Sequence, residues 1–143
     1  MSAPKPLRLL AEDADDLAVI SAALQDAVTR IGDIRFERRA RRLTIAFNRF
    51  RWEAADGDGE RVLSGFQLGG VQNVRARNLR REARDAVLEL LAMTFEPAGA
   101  PGGRITFAFA DGGDLAVEVE CIDAALADLC QPWRAPHRPG HET

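Results

Sequence analysis

Apolar residues at Leu17, Ile20, Leu24 and Val28 fall at i, i+3, i+7 and i+11, the spacing of one helical face. Ala18, Ser21, Ala22 and Gln25 suit the opposite face, and a helix is predicted over 14–25. From Ile34 the period changes to two. "DIRFER" sets Ile34 and Phe36 on one side of a strand, and "RLTIAFNRFRWE" sets Leu43, Ile45 and Phe47 on one side before moving phase to Phe50 and Trp52. That slip predicts a β-bulge or bend near Asn48 and Arg49. The intervening "RRARR" has the length of a hairpin connection, and "ADGDGE" at 55–60 has the Asp and Gly content of a tight turn.

"RVLSGFQLGGVQNVRARN" predicts two strands joined or bent at Gly69-Gly70. Residues 86–96 fit a helix face through Leu88, Leu91 and Phe95. They also alternate at Val87, Glu89, Leu91, Met93 and Phe95, and the strand is preferred because the stretch runs into "MTFEP" and a Pro-Gly loop. In "RITFAFADGGDLAVEVE" an Asp-Gly-Gly turn sets Ile105, Phe107 and Phe109 opposite Leu115, Val117 and Val119, a hairpin. Last, "CIDAALADLCQPW" carries Ile122, Ala125, Leu126, Leu129 and Trp133 at helical spacing, ended near Pro132. A closing helix is expected there, followed by a polar, Pro-rich, disordered tail over 134–143.

The expected fold is therefore α+β: one domain over 7–133, with an N-terminal helix, six to eight antiparallel strands and a C-terminal helix. The strands would form an antiparallel sheet or a small bent β-barrel. At the level of element order this is similar to a pleckstrin-homology barrel, a likeness that carries no function. The chain of 143 residues is long enough for a core without metal or disulfide staples. It has no apolar run of about 20 residues for a membrane span, and "MSAPKPLRLL" lacks the apolar stretch of a secretory signal. A cytoplasmic location is expected.

"AEDADDLAVISAALQDAV", "NRFRWE", "VRARN", "LLAMTFEP" and "LAVEVECIDAALADL" together resemble an uncharacterised bacterial family, domain of unknown function 2948. The resemblance covers about 7–133. It implies a single-domain, cytoplasmic bacterial protein, and it carries over no activity, cofactor, partner or site residue.

Charge and chemistry narrow the function. Glu12, Asp13, Asp15 and Asp16 crowd the start of the first helix. Asp13 suits an N-cap and the other acids suit the positive end of the helix dipole. A calcium loop would need a Gly and a distal Glu that are absent, so a helix start is preferred to a metal site. Residues 30–84 carry a net +7 and the remainder a net −10, within a total of −3. This basic middle, which includes Arg38, Arg39, Arg41 and Arg42, could present guanidinium groups to phosphates. The candidate anion-binding residues are Arg49 and Arg51 on one strand face, Arg75 and Arg77 on another, and Arg80 and Arg81 beyond it. Against this stand a pI near 5.4, the absence of Tyr and the lack of any nucleic-acid motif. Nucleic acid is thus a weak expectation, and cross-strand pairing of Arg with faces such as that of Glu118 and Glu120 is preferred. Part of the Arg count, eighteen against one Lys, reflects a GC-rich coding sequence.

Cys121 and Cys130 are too few for a disulfide framework and would point to opposite sides of a helix, so both are expected to be small buried hydrophobes. His137 and His141 lie in the tail, with no rigid frame for a Cys–His pair or a zinc site. No phosphate loop, dinucleotide fingerprint or nucleophile elbow occurs. An enzyme is therefore the less favoured class, and neither cofactor nor metal is expected. The expectation is a small binding or accessory module acting through protein–protein contacts or self-association. The alternative is a phosphorylated or polyanionic ligand bound by the Arg-rich strand face.

Overall fold

The computed structural model describes residues 6–52 and 60–130, and the backbone of 133–134. The turn expected at 55–59 and the tail at 135–143 lie outside these residues, as do His137 and His141. The described chain is one helix, α1 (Ala14–Ala23), and eleven strands. They are β1 (Arg8–Ala11), β2 (Val28–Arg30), β3 (Ile34–Glu37), β4 (Arg42–Phe50), β5 (Glu60–Leu68), β6 (Val71–Arg77), β7 (Val87–Pro97), β8 (Gly103–Phe109), β9 (Asp114–Val119), β10 (Ala124–Asp128) and β11 (Trp133–Arg134).

Helix α1 begins as its acids predict. The Asp13 carboxylate accepts a hydrogen bond from the Asp16 backbone N–H at 2.8 Å, and Asp15 and Asp16 occupy the first turn. Leu17 and Ile20 on its inner face, and Leu24 at its C-cap, are buried. Val28, the fourth residue of the apparent helical stripe, has instead entered β2.

All strand pairings are antiparallel, in the order β1-β10-β5-β4-β2-β7-β8-β9-β6, with β3 also on β4 and β11 on β5. Short β2 bonds to β4 at Val28–Asn48 and to β7 along its length, and so joins two halves of the sheet. One half holds β1, β10, β5, β4 and β3, the other β7, β8, β9 and β6. They enclose one core, in which Phe66 of β5 meets Phe107 of β8 edge-on with ring centroids 5.7 Å apart. The sheet does not close. β1 and β6 end the order, so the open-sheet expectation holds and the barrel does not form.

Three expectations are corrected. The C-terminal helix is absent, and "CIDAALADL" forms β10 between β1 and β5. Ile122, Ala124 and Leu126 point inward at 6%, 3% and 1% exposure, whereas Leu129 stands 58% exposed. The residues that suggested a helix also alternate, and the two open edges beside them decided the period. Cys121 therefore starts no helix; it is half-buried, and Cys130 is exposed, so neither is the buried hydrophobe expected.

The bulge at Asn48–Arg49 is also absent. β4 keeps an unbroken register with β5 from Leu43↔Leu68 to Phe50↔Arg61. Leu43, Ile45, Phe47 and Arg49 share its inner face, each 0% exposed. The phase slip was produced by an arginine in a core position. Register shifts lie instead at Val71/Asn73 and Leu90/Ala92. The second turns Leu90 and Met93, rather than Leu91, into the core.

The predicted hairpins form. β3 and β4 join through 38–41, with Arg41 at φ 55, and β8 pairs β9 with Ile105↔Val117 and Phe107↔Leu115. β5 and β6 meet at Gly70, whose φ of 63 suits glycine.

Candidate binding cleft

Strands β3 and β6 each have one unpaired edge, and a cleft of about 470 Å³ lies between them. It is closed at both ends by backbone hydrogen bonds. At one end the Val71 N–H donates to the Arg41 carbonyl at 2.9 Å. At the other, the loop after β6 returns to the segment before β3: the Gly32 N–H donates to the Arg84 carbonyl at 2.8 Å, and the Ile31 N–H to the Ala86 carbonyl at 3.0 Å. The Arg84 guanidinium in turn donates to the Gly32 carbonyl at 3.2 Å. A Cβ at Gly32 would lie 3.1 Å from the Arg84 carbonyl, a tight contact that the glycine avoids.

Alternation builds the floor. Ile34 and Phe36 of β3, and Val74 and Ala76 of β6, point to the core side of their strands and stop half-buried. Leu79 lies over Gly113, where a Cβ would clash with its Cδ2 at 2.4 Å. Ile31, Leu43 and Leu115 complete the apolar surface. The rim is basic: Arg38, Arg81 and Arg84 line the opening, and among the described residues no carboxylate does. The Arg38 guanidinium sits 5.2 Å from the centroid of the Phe36 ring, a cation–π contact that keeps it at the mouth.

The arginines singled out from the sequence are not brought to one surface. Arg49 is inside the first half of the sheet, paired fork to fork with Asp128 of β10. Its Nε donates to Oδ1 and its Nη2 to Oδ2, both at 3.1 Å. Ser64 of β5 accepts from Arg49 Nε at 3.0 Å and donates to Asp128 Oδ1 at 2.7 Å. The Leu7 N–H donates to Asp128 Oδ2 at 2.8 Å, so one buried cluster ties β4, β5, β10 and the start of β1. The side chains of Arg49 and Asp128 are 0% and 2% exposed. Arg51, just past β4, pairs with Glu60.

Arg77 pairs with Asp114 across the β6–β9 ladder, Nε to Oδ2 at 3.0 Å. Arg75 stands beside it on the outer face of β6, in a shallow hollow of about 250 Å³ that also holds the Arg104–Glu118 pair. Arg80 is exposed in the loop after β6. Only Arg81 of the six lines the cleft. The Glu118 and Glu120 side chains do meet arginines, Arg104 at 3.2 Å and Arg41 at 2.7 Å.

The family model for "Protein of unknown function (DUF2948)" matches residues 7–141. The chain belongs to the DUF2948 family. No curated protein and no solved structure matches it. Among the described residues of this DUF2948 chain, no group of three His, Cys, Asp or Glu could hold a metal ion, and no helix is long and apolar enough to cross a membrane.

Sequence reasoning missed Arg84 and the apolar floor as parts of a site, and it ranked Arg38 only among many basic residues. The signal was present in two stretches. "IRF" and "VRAR" each alternate apolar with basic residues, and so each predicts a strand with one core face and one charged face. That those two strands lie side by side is a property of the fold.

Proposed function

We propose that this protein is a binding module, and that the cleft between β3 and β6 is where it takes an anionic ligand. One observation carries the reading. The arginines elsewhere that line hollows or the core are largely matched by carboxylates, as in Arg49–Asp128, Arg77–Asp114 and Arg104–Glu118. The three at the cleft stand over apolar side chains, and among the described residues no carboxylate lines it. Guanidinium groups at the mouth of a cleft favour a carboxylate or phosphate, which they bind as a planar fork. The volume also lies within the usual range of ligand sites.

The reading concerns Arg38, Arg81 and Arg84. It places no role on Arg49, Arg51 or Arg77, each of which already pairs with a carboxylate. Titration against inorganic phosphate, nucleotides, short carboxylates, RNA and DNA at two salt concentrations tests it. Salt-sensitive binding that Arg38→Ala with Arg81→Ala abolishes supports the proposal; binding that ignores both substitutions rejects it.

A second reading, protein–protein contact in a cytoplasmic bacterial accessory module, is favoured by the outer face of the first half-sheet. Leu10 is 78% and Leu129 58% exposed there, beside Leu63 and the small residues Ala46, Gly65, Ala125 and Ala127. Leu10→Glu with Leu129→Glu would reduce self-association seen by sedimentation equilibrium if that face pairs, and would change nothing if it does not.

A further inference from the structure

The cleft has a deep part and a mouth of opposite character, and that division says more than its charge. From this, and resting on the reading of the cleft as an anion site, we infer that its ligand is a small, free amphipathic anion: an acyl or aryl body with one carboxylate or phosphate head.

Three observations select this class. The side chains of the floor are apolar: Phe36, Val74, Ala76 and Leu79 are half-buried against the core and line the hollow. Nucleotides and sugars would leave their polar groups without partners on such a floor. The three cations are exposed at the rim, so a head group meets a guanidinium while the body lies inward. Both ends of the slot are shut by backbone bonds, Val71 to Arg41 and Gly32 to Arg84. A slot bounded at both ends in this way suits a short molecule with two distinct ends. Arg84, whose guanidinium is held by the Gly32 carbonyl, fixes one wall and is the least free of the three to turn toward a head.

The partition of roles follows. The floor supplies affinity in proportion to the apolar area covered, and the rim supplies sign. Each added methylene should therefore tighten binding about fourfold until the hollow is full. Exchange of the anionic head for a neutral one should lose it.

The test is isothermal titration of the full chain with hexanoate, octanoate and decanoate, then octyl phosphate, octanol and octyltrimethylammonium. Acetate and inorganic phosphate serve as heads without bodies. Octanoate and octyl phosphate should bind, hexanoate more weakly, and octanol and the cation at least tenfold more weakly still. Arg38→Ala with Arg81→Ala, both exposed in the free protein, should remove the discrimination between octanoate and octanol. Ala76→Phe should fill the floor and abolish binding of either.

Equal binding of octanol and octanoate overturns the head-group assignment. Binding of inorganic phosphate or nucleotides as tight as that of octyl phosphate overturns the amphipathic ligand but leaves the anion site standing. No binding of any probe overturns both. Association with phosphatidic-acid vesicles in place of the free amphiphiles overturns the assignment to a soluble ligand. A failure of Ala76→Phe to fold leaves the Arg variants, at exposed positions, to decide.

Discussion

Two arginine groups in this molecule have opposite fates. Arg49, at 0% exposure, is locked to Asp128 and Ser64 inside the first half-sheet. Arg38 and Arg81 stand at the mouth of the β3–β6 cleft, where no carboxylate among the described residues lines the wall. The residue type is the same, and so is the basic middle of the sequence from which they come. What differs is the neighbour that the fold supplies. β4 lies next to β5, which brings β10 and Asp128 within reach, whereas β3 and β6 are unpaired edges with apolar faces between them. Charge in a sequence thus becomes structure or site according to strand order. The Arg49 cluster pins one end of the sheet, and the cleft is where the sheet stays open.

The largest expected effect breaks the closed side of this comparison. Asp128→Asn leaves a guanidinium buried without its counter-charge, and should cost about 3–5 kcal/mol. Thermal unfolding should then fall by about 10–20 °C. Replacing both partners, Arg49→Met with Asp128→Leu, should return the midpoint to within a few degrees of the parent, because two apolar side chains need no pairing. If the double variant were as unstable as the single one, the cluster would owe its importance to more than charge matching.

Arg77→Ala breaks a matched but exposed pair, in which the Arg77 side chain is 74% exposed. A urea titration should show a loss of about 0.2–1 kcal/mol, smaller still in high salt. Arg38→Ala with Arg81→Ala should change stability by no more than about 0.5 kcal/mol per site, as for surface positions with no carboxylate to lose. A larger loss would mean that the rim holds the fold together rather than waiting for a ligand.

The smallest effect concerns pH. Partial burial, a hydrogen bond with Asp26 and the Asp26 charge hold the Glu89 carboxyl above the usual carboxylate range, with Arg61 opposing. The folded chain then keeps a proton that the unfolded chain has released. This contribution is fully present below the ordinary glutamate pKa and is lost as pH rises through the raised value. Glu89→Gln should therefore flatten the decline of the unfolding midpoint above that range, by an amount within about 0.5 kcal/mol. At pH values below it, variant and parent should coincide.

Much of the fold was legible because local rules and the final structure agreed. The Asp13 cap, the turn glycines and the alternation of Ile105, Phe107 and Phe109 each have one physical reading. The closing segment did not, because small alanines let "CIDAALADL" satisfy both periods. Only the open edges of β1 and β5 made the strand preferable. Arg49 misled in another way: a core position filled by an arginine looks like a break in a strand. The cleft itself was illegible, since it lies between strands almost forty residues apart that share no hydrogen-bonded register.

Chemical-shift mapping of the isotopically labelled protein with octanoate tests the contrast most directly. The account predicts amide shifts confined to the cleft, at Phe36, Leu43, Val74, Ala76, Leu79 and Leu115, and their loss in Arg38→Ala with Arg81→Ala. Shifts on the outer face around Leu10, Ala125 and Leu129, or shifts in the cleft that survive removal of both rim arginines, would contradict it.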